Sequence, residues 1–230
     1  MEQYLDVLAD FVDRIRNIRE IIISNIVFIG QVPAPTFHER RRAECLVERL
    51  SDSGVDECVI DDYGNPIGVI RGRDAQRQSI FVVAHLDTFS ESQEDQHYEV
   101  TDKTISGEGV SDNSASVGVL ASLPELFKRL GVTFASDIVL VAPNQSLGRG
   151  NLRGIRQLLH TWPDPIRGAI CLESVELGRL NYYSSGMIRG EIDCSIATEK
   201  PFGRHYTPNA ILIINQVIKE YPKAYPSRIG

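Results

Sequence analysis

Apolar residues recur along this chain with two different periods, and the places where the period changes mark out its elements. Over residues 3 to 24, Leu5, Leu8, Phe11, Val12, Ile15, Ile18 and Ile22 fall at helical spacing and predict a long amphipathic helix. In APTFHERRRAECLVERLSDSGV, Thr36 and Glu39 have the spacing of a capping box, Pro33 and Pro35 punctuate the entry, and Gly54 closes a second helix. VDECVIDDYGNPIGVIRG predicts a β-hairpin with Asp62-Tyr63-Gly64-Asn65 as its turn.

After the hairpin, short runs of β-branched residues alternate with helical patterns. SIFVVAHLDT predicts a buried central strand. Residues 112 to 130 predict a helix with Val117, Leu120, Leu123 and Leu126 on its apolar face. SDIVLVAP and IRGAICLES predict two further buried strands, with LRGIRQLLHTW as a helix between them. GRLNYYSSGMIRGEIDCSIAT predicts a long strand or hairpin, and PNAILIINQVIKEY a last helix opened by Pro208. This order implies an α/β fold, a mostly parallel sheet with helices on both faces. We expect a first domain over residues 1–185 and a partial α+β lid over residues 186–230.

Composition narrows the function. A net charge of -7 argues against nucleic acid as a partner, because phosphate binding calls for a basic surface. No stretch is long and apolar enough to span a bilayer, so no membrane role is expected. The start, MEQYLDVLADFVDRIR, is acidic early and unlike a signal peptide, and Cys45, Cys58, Cys171 and Cys194 are scattered with no C-x-x-C pair. Both features fit buried thiols in a reducing cytoplasm.

Polar residues gather at the predicted strand ends. VVAHLDT closes on His85 and Asp87, two residues apart and so on one side of an extended segment. GEGVSDNSA sets Asp112 at the mouth of a helix, and AICLES ends on Glu173. Taken singly, His85 and Asp87 are a hydrogen-bonded pair, Asp112 is an N-cap, and Glu173 is a solvated acid. Taken together, one imidazole and two carboxylates form a mixed N/O set suited to a zinc-type divalent ion. Asp87 would then orient His85 by accepting its other ring N–H.

With these motifs in place, the stretch from about Pro33 to Ala210 resembles the co-catalytic zinc peptidases that include peptidase T, aminoacylase and glutamate carboxypeptidase. PAPTFHERRRAECLVERLSDSGVDECVIDDYGN is similar to their N-terminal helix and hairpin, AHLDT to their first metal motif, and GEGVSDNSASVGVL to their bridging-aspartate segment. NLRGIRQLL and LESVELGRL follow the same pattern. The resemblance implies His85, Asp112 and Glu173 as ligands of one zinc ion. It also implies that Asp112 bridges to a second ion, that Asp87 orients His85, and that the Asp112–Asn113 peptide is cis.

The resemblance also exposes departures. In the family, two consecutive glutamates precede the glycine run matched by Gly148, Gly150 and LRG. The first is the general base and the second a ligand of the second metal. Here those positions are Ser146 and Leu147, a poor base and a side chain that cannot ligate. The lid histidine that steadies the reacting oxyanion is matched by a stretch with a lysine near its place and His205 as a substitute. The final ligand histidine falls beyond EYPKAYPSRIG, which makes the chain similar to a truncated, degenerate member of the family.

The expectation is therefore a zinc-peptidase fold with one zinc ion or none, impaired in catalysis and serving binding or assembly. The alternative is a metal-dependent hydrolase of small peptides or N-acyl amino acids. A strand near residues 186–198 would offer an unpaired edge to a second copy or a partner chain. NQSLG lacks the leading glycine of a nucleophile elbow, and GRGNLRG lacks the spacing of a dinucleotide loop.

Overall fold

Runs such as IVLV and SIFVV carry apolar side chains on both faces, so they are stable only in the middle of a sheet covered on each side. The computed structural model describes residues 18–74, 76–174, 178–182, 192–195 and 209–224. Helices α1 (Arg19–Gly30) and α2 (Arg40–Asp52) come first, followed by strands β1 (Glu57–Ile60), β2 (Pro66–Ile70) and β3 (Ser79–Val83). Next come β4 (Glu99–Val100), β5 (Ile105–Ser106), α3 (Ala115–Leu130), β6 (Ile138–Val141), α4 (Arg153–Thr161), β7 (Ile166–Cys171) and α5 (Ala210–Ala224). Among the described residues the main sheet runs β1-β2-β6-β3-β7, and β4 and β5 form a separate two-stranded sheet. Strands β6, β3 and β7 are mutually parallel, while the β1–β2 hairpin is antiparallel and joins β6 antiparallel.

Alternate residues of these strands feed two cores. Val82, Ile138 and Leu140 pack with Ile29, Leu46, Leu50, Val117 and Leu120 from α1, α2 and α3. Phe81, Val139 and Val141 turn the other way to Ile67, Val69 and Leu158 of α4, where Trp162 meets Phe81 edge-on at 5.0 Å. Helices therefore cover both faces, as an α/β sheet requires. The consequence for the site is that β3 and β7 run side by side and end together, Val83 beside Cys171.

Several elements differ from the sequence expectation. The first helix runs to Gly30 instead of stopping near residue 24, and the part expected over residues 3–17 lies outside the described residues. Asn25, a polar residue within this added stretch, is buried and satisfied: it donates to Ser122 Oγ at 2.8 Å and accepts from Arg49 Nε at 2.6 Å. No capping box forms on α2. Its N-cap is Glu39, with no side-chain cap bond, and Thr36 and Glu39 are engaged elsewhere. Among the described residues, strand β7 is an edge strand exposed over most of its length, not a buried one, because β3 alone flanks it there. Residues 192–195 are not in a strand, and the rest of the strand expected over 186–198 lies outside the described residues.

The chain divides into two compact units, Met1–Arg179 and Leu180–Gly230. Everything in the candidate site belongs to the first. Among the described residues no helix is long and apolar enough to cross a membrane.

Helices α1 and α3 touch backbone to backbone at Gly118, where an added Cβ would lie 2.5 Å from Ile26 Cγ1 and 2.6 Å from Ile26 Cα. Backbone cannot yield as a flexible side chain can. Gly118→Ala should therefore cost about 1–3 kcal/mol in urea unfolding; an unchanged midpoint would show that the helices do not depend on this approach.

Candidate metal centre

The site begins where β3 stops pairing and the chain continues extended. Ala84 N and Leu86 N donate to the Val141 and Pro143 carbonyls at 3.2 and 2.9 Å. This backbone pairing holds His85 and Asp87 on the same side of a fixed segment. Across from it, Leu172 N donates to Val83 O at 2.7 Å and keeps the end of β7 in step, presenting Glu173 beside His85. Asp112 arrives on an irregular turn before α3 whose Asp112–Asn113 peptide is cis, with Asp112 at φ -151° and ψ 84°. Asn113 Nδ2 donates to Leu172 O at 3.3 Å, and Ser174 Oγ donates to Ser111 O at 2.7 Å, lacing that turn to the end of β7.

Three of the sequence candidates meet as a result. His85 Nε2 lies 2.9 Å from Asp112 Oδ1 and 3.8 Å from Glu173 Oε2. One donor atom from each of the three residues falls within 4.8 Å of the others. Three ligands around a zinc-type ion at roughly 2.1 Å stand about 3.4 Å apart in tetrahedral geometry, so the donor set fits such an ion. The remaining direction is open, since the Glu173 side chain is 56% exposed while His85 is only 11% exposed.

His85 is set up to ligate through Nε2. Its Nδ1 lies 3.0 Å from the backbone carbonyl of Asp87, and a carbonyl only accepts. Nδ1 must therefore carry the proton, which leaves the Nε2 lone pair for the cluster in the neutral ring. The Asp87 carboxylate is a more distant neighbour of that nitrogen, with Oδ1 at 3.4 Å. Burial pulls the imidazole down, but Asp87, Glu173 and Asp112 together outweigh burial and hold His85 above its ordinary 6.5. Glu173 is pushed up, by burial first and by Asp112, with His85 opposing.

The other oxygen of Asp87 faces away from His85, toward the loop after β6. Oδ2 accepts from Ser146 N at 3.0 Å, from Leu147 N at 2.8 Å and from Thr36 Oγ1 at 2.9 Å. Burial would raise this carboxyl; the contacts with His85, the Leu147 amide and Thr36 prevail and hold it below its usual range. Glu39 grips the same loop one residue earlier, accepting from Gln145 N at 2.8 Å. The loop needs these anchors, because Gln145, Gly148, Asn151 and Leu152 all have positive φ. Gly150 is obligatory, since a Cβ there would sit 2.4 Å from the Gln145 carbonyl oxygen.

Ser146, which the sequence resemblance sets where a general base is expected, is 8% exposed, and its hydroxyl donates back to the loop, to Pro143 O at 3.3 Å or Asn144 O at 3.5 Å. Leu147 contributes its amide to Asp87 and has no side-chain donor. His205 lies outside the described residues. Thr36, Glu39, Asn113 and Ser174 shape the centre without having been singled out for it. The proximity of Thr36 to Asp87 follows from the bridge pairing Pro35 with Thr88, which no local pattern announces.

No protein-family model matches the sequence, and no curated protein does. Solved structures do match. The aminopeptidase PepT from Bacillus cereus ATCC 10987 superposes with a TM-score of 0.56 at 20% identity, over 67% of this chain and 43% of that one. The dipeptidase Dug1p from Saccharomyces cerevisiae gives 0.57 at 16% identity, over 72% and 41%. The LapA aminopeptidase of Legionella pneumophila gives 0.54 at 14% identity, over 72% and 46%. The chain thus has the fold these peptidases share and spans less than half the length of each of the three.

In metal-free protein an NMR titration of His85 should give a midpoint above 6.5, and Asp87→Asn should lower it. A raised imidazole stabilises the fold below its ordinary value, and that contribution disappears as pH rises through the raised midpoint. Metal must displace the same proton, so divalent-ion affinity should climb with pH and level off above that midpoint. An affinity that does not change with pH would remove His85 from the ligand set.

Proposed function

We propose that this chain is a peptidase-fold protein that holds one divalent cation, zinc by the character of its donors, between His85, Asp112 and Glu173. In this reading it is impaired in hydrolysis and serves in binding or assembly. A zinc-type ion in such a site supplies Lewis acidity to a carbonyl oxygen. The chain's own residues bind and orient it: His85 through Nε2, Asp112 and Glu173 through one oxygen each, with Asp87 behind.

The observation that carries the reading is the state of Ser146. A base must reach the proton it takes, within hydrogen-bond distance and with a suitable pKa. At this position the side chain is a buried hydroxyl bonded to its own loop. Losing a positioned base costs on the order of a hundredfold or more in rate. A binding role is supported by a cavity of about 350 Å³ beside the same loop, lined by Phe37, Glu39, Ile60, Asn144 and Gln145 among others. It could take a small peptide or an N-acyl amino acid. The alternative, a working metallopeptidase or amidohydrolase, is favoured by one observation, the intact three-donor cluster.

A role in assembly, as a homo-oligomer or with a partner chain, is supported by the apolar surface of α5, where Ile211 is 74% exposed and Ile218 59%. The cytoplasm is the proposed location.

Protein purified without chelators should contain about one zinc per chain by elemental analysis, and His85→Ala should contain none. Dipeptide and N-acyl amino acid hydrolysis should stay at background. Robust turnover that His85→Ala abolishes would establish the hydrolase instead, and metal-free wild-type protein would sink the cation reading. Light scattering at micromolar concentration should report more than a monomer.

A further inference from the structure

The two chain segments that carry His85 and Asp112 come from different elements, and something must set the distance between them. Directly beneath both lies Arg42 on α2, fully buried at 0% exposure. Its Nη1 donates to the carbonyl of Leu86, between His85 and Asp87, at 3.3 Å. The same nitrogen donates to the hydroxyl of Ser114, two residues after Asp112, at 3.1 Å. The rest of the guanidinium is anchored at the end of α1, Nε to Val32 O at 2.6 Å and Nη2 to Gly30 O at 3.2 Å.

Every one of these partners is a neutral acceptor, and none is a carboxylate. A charge placed this way costs several kcal/mol in lost hydration unless its hydrogen bonds are complete. Burial pulls the guanidinium down to about 10, so it keeps its proton at neutral pH. Four acceptors in fixed directions match a planar fork of donors; a lysine ammonium on its flexible stem cannot serve them all. Core packing alone would be met by an apolar side chain. What an apolar side chain cannot do is bind two ligand-bearing segments to one nitrogen atom.

We propose that Arg42 is a positioning residue for the cation site, its Nη1 setting the spacing between the segment that carries His85 and the segment that carries Asp112. The proposal rests on the cation-binding reading and adds to it the device that fixes ligand geometry.

The test is a cobalt(II) titration of the full chain, following affinity and the visible absorption bands, which report coordination geometry. Wild type is compared with Arg42→Lys, with Ser114→Ala, which removes one arm of the contact, and with Arg49→Met. Arg49 lies on the same helix but bonds Asn25, away from the site. Arg42→Lys should weaken binding roughly 10- to 100-fold, the range for residues that orient metal ligands, and should shift the bands. Ser114→Ala should shift them the same way with a smaller loss, and it decides the matter if Arg42→Lys does not fold. Arg49→Met should lower the unfolding midpoint and leave affinity and spectrum at wild-type values.

Wild-type affinity and spectrum in both Arg42→Lys and Ser114→Ala would overturn the proposal and leave the cation site standing. So would an Arg49→Met variant that reproduces the same loss and shift, since general destabilisation would then suffice. A wild-type chain that takes up no cobalt would overturn the cation reading, and this proposal with it.

Discussion

One buried carboxylate holds the strand end and the loop together. Asp87 is 0% exposed, and its Oδ2 gathers three donors from two distant parts of the chain, Thr36 and the amides of Ser146 and Leu147. An ionised carboxylate is tolerated inside a protein only when its acceptor capacity is used. Any conformation of the loop that withdrew those amides would leave Oδ2 with Thr36 as its one remaining donor. Asp87 therefore helps to hold a loop several of whose residues sit at positive φ.

This constraint explains how the loop can keep its shape while its side chains change. The resemblance to co-catalytic peptidases calls for acids at 146 and 147, and the chain has serine and leucine. Asp87, however, is held by backbone N–H groups, which any residue but proline supplies. Gly150 and Gly154 are held by close backbone approach, each with a virtual Cβ 2.4 Å from a carbonyl oxygen. Scaffold and reactive groups are thus separable here: the glycines and the amides preserve the frame, and nothing in that frame requires a base.

The same separation governs what could be read from the chain. Strands β3 and β6, the two-faced core and the convergence of His85, Asp112 and Glu173 were legible, because apolar period and strand-end position are local signals. Thr36 and Glu39 misled because the spacing of a capping box is also compatible with two side chains reaching across the fold, one to Asp87 and one to Gln145. Arg42 was hidden for a different reason. It follows Arg40 and Arg41, and such a run looks like a solvated helix face; only the helix phase, which turns Arg42 inward with Ala43 and Leu46, distinguishes it. The burial of β7 failed because composition records that a strand is apolar and says nothing about which strand lies beside it.

Charge balance gives the site its preference. Asp87, Asp112 and Glu173 put three carboxylates around one imidazole. Without an ion the three carboxylates hold His85 above its ordinary value against its burial, while Glu173 is pushed up first by burial and then by Asp112. A divalent cation meets the same need better, since it neutralises more charge and sits among all three donors at once. Two further glutamates at 146 and 147 would enlarge the negative charge and make room for a second cation. With serine and leucine in their place that added charge is absent, which agrees with the single cation proposed for this site.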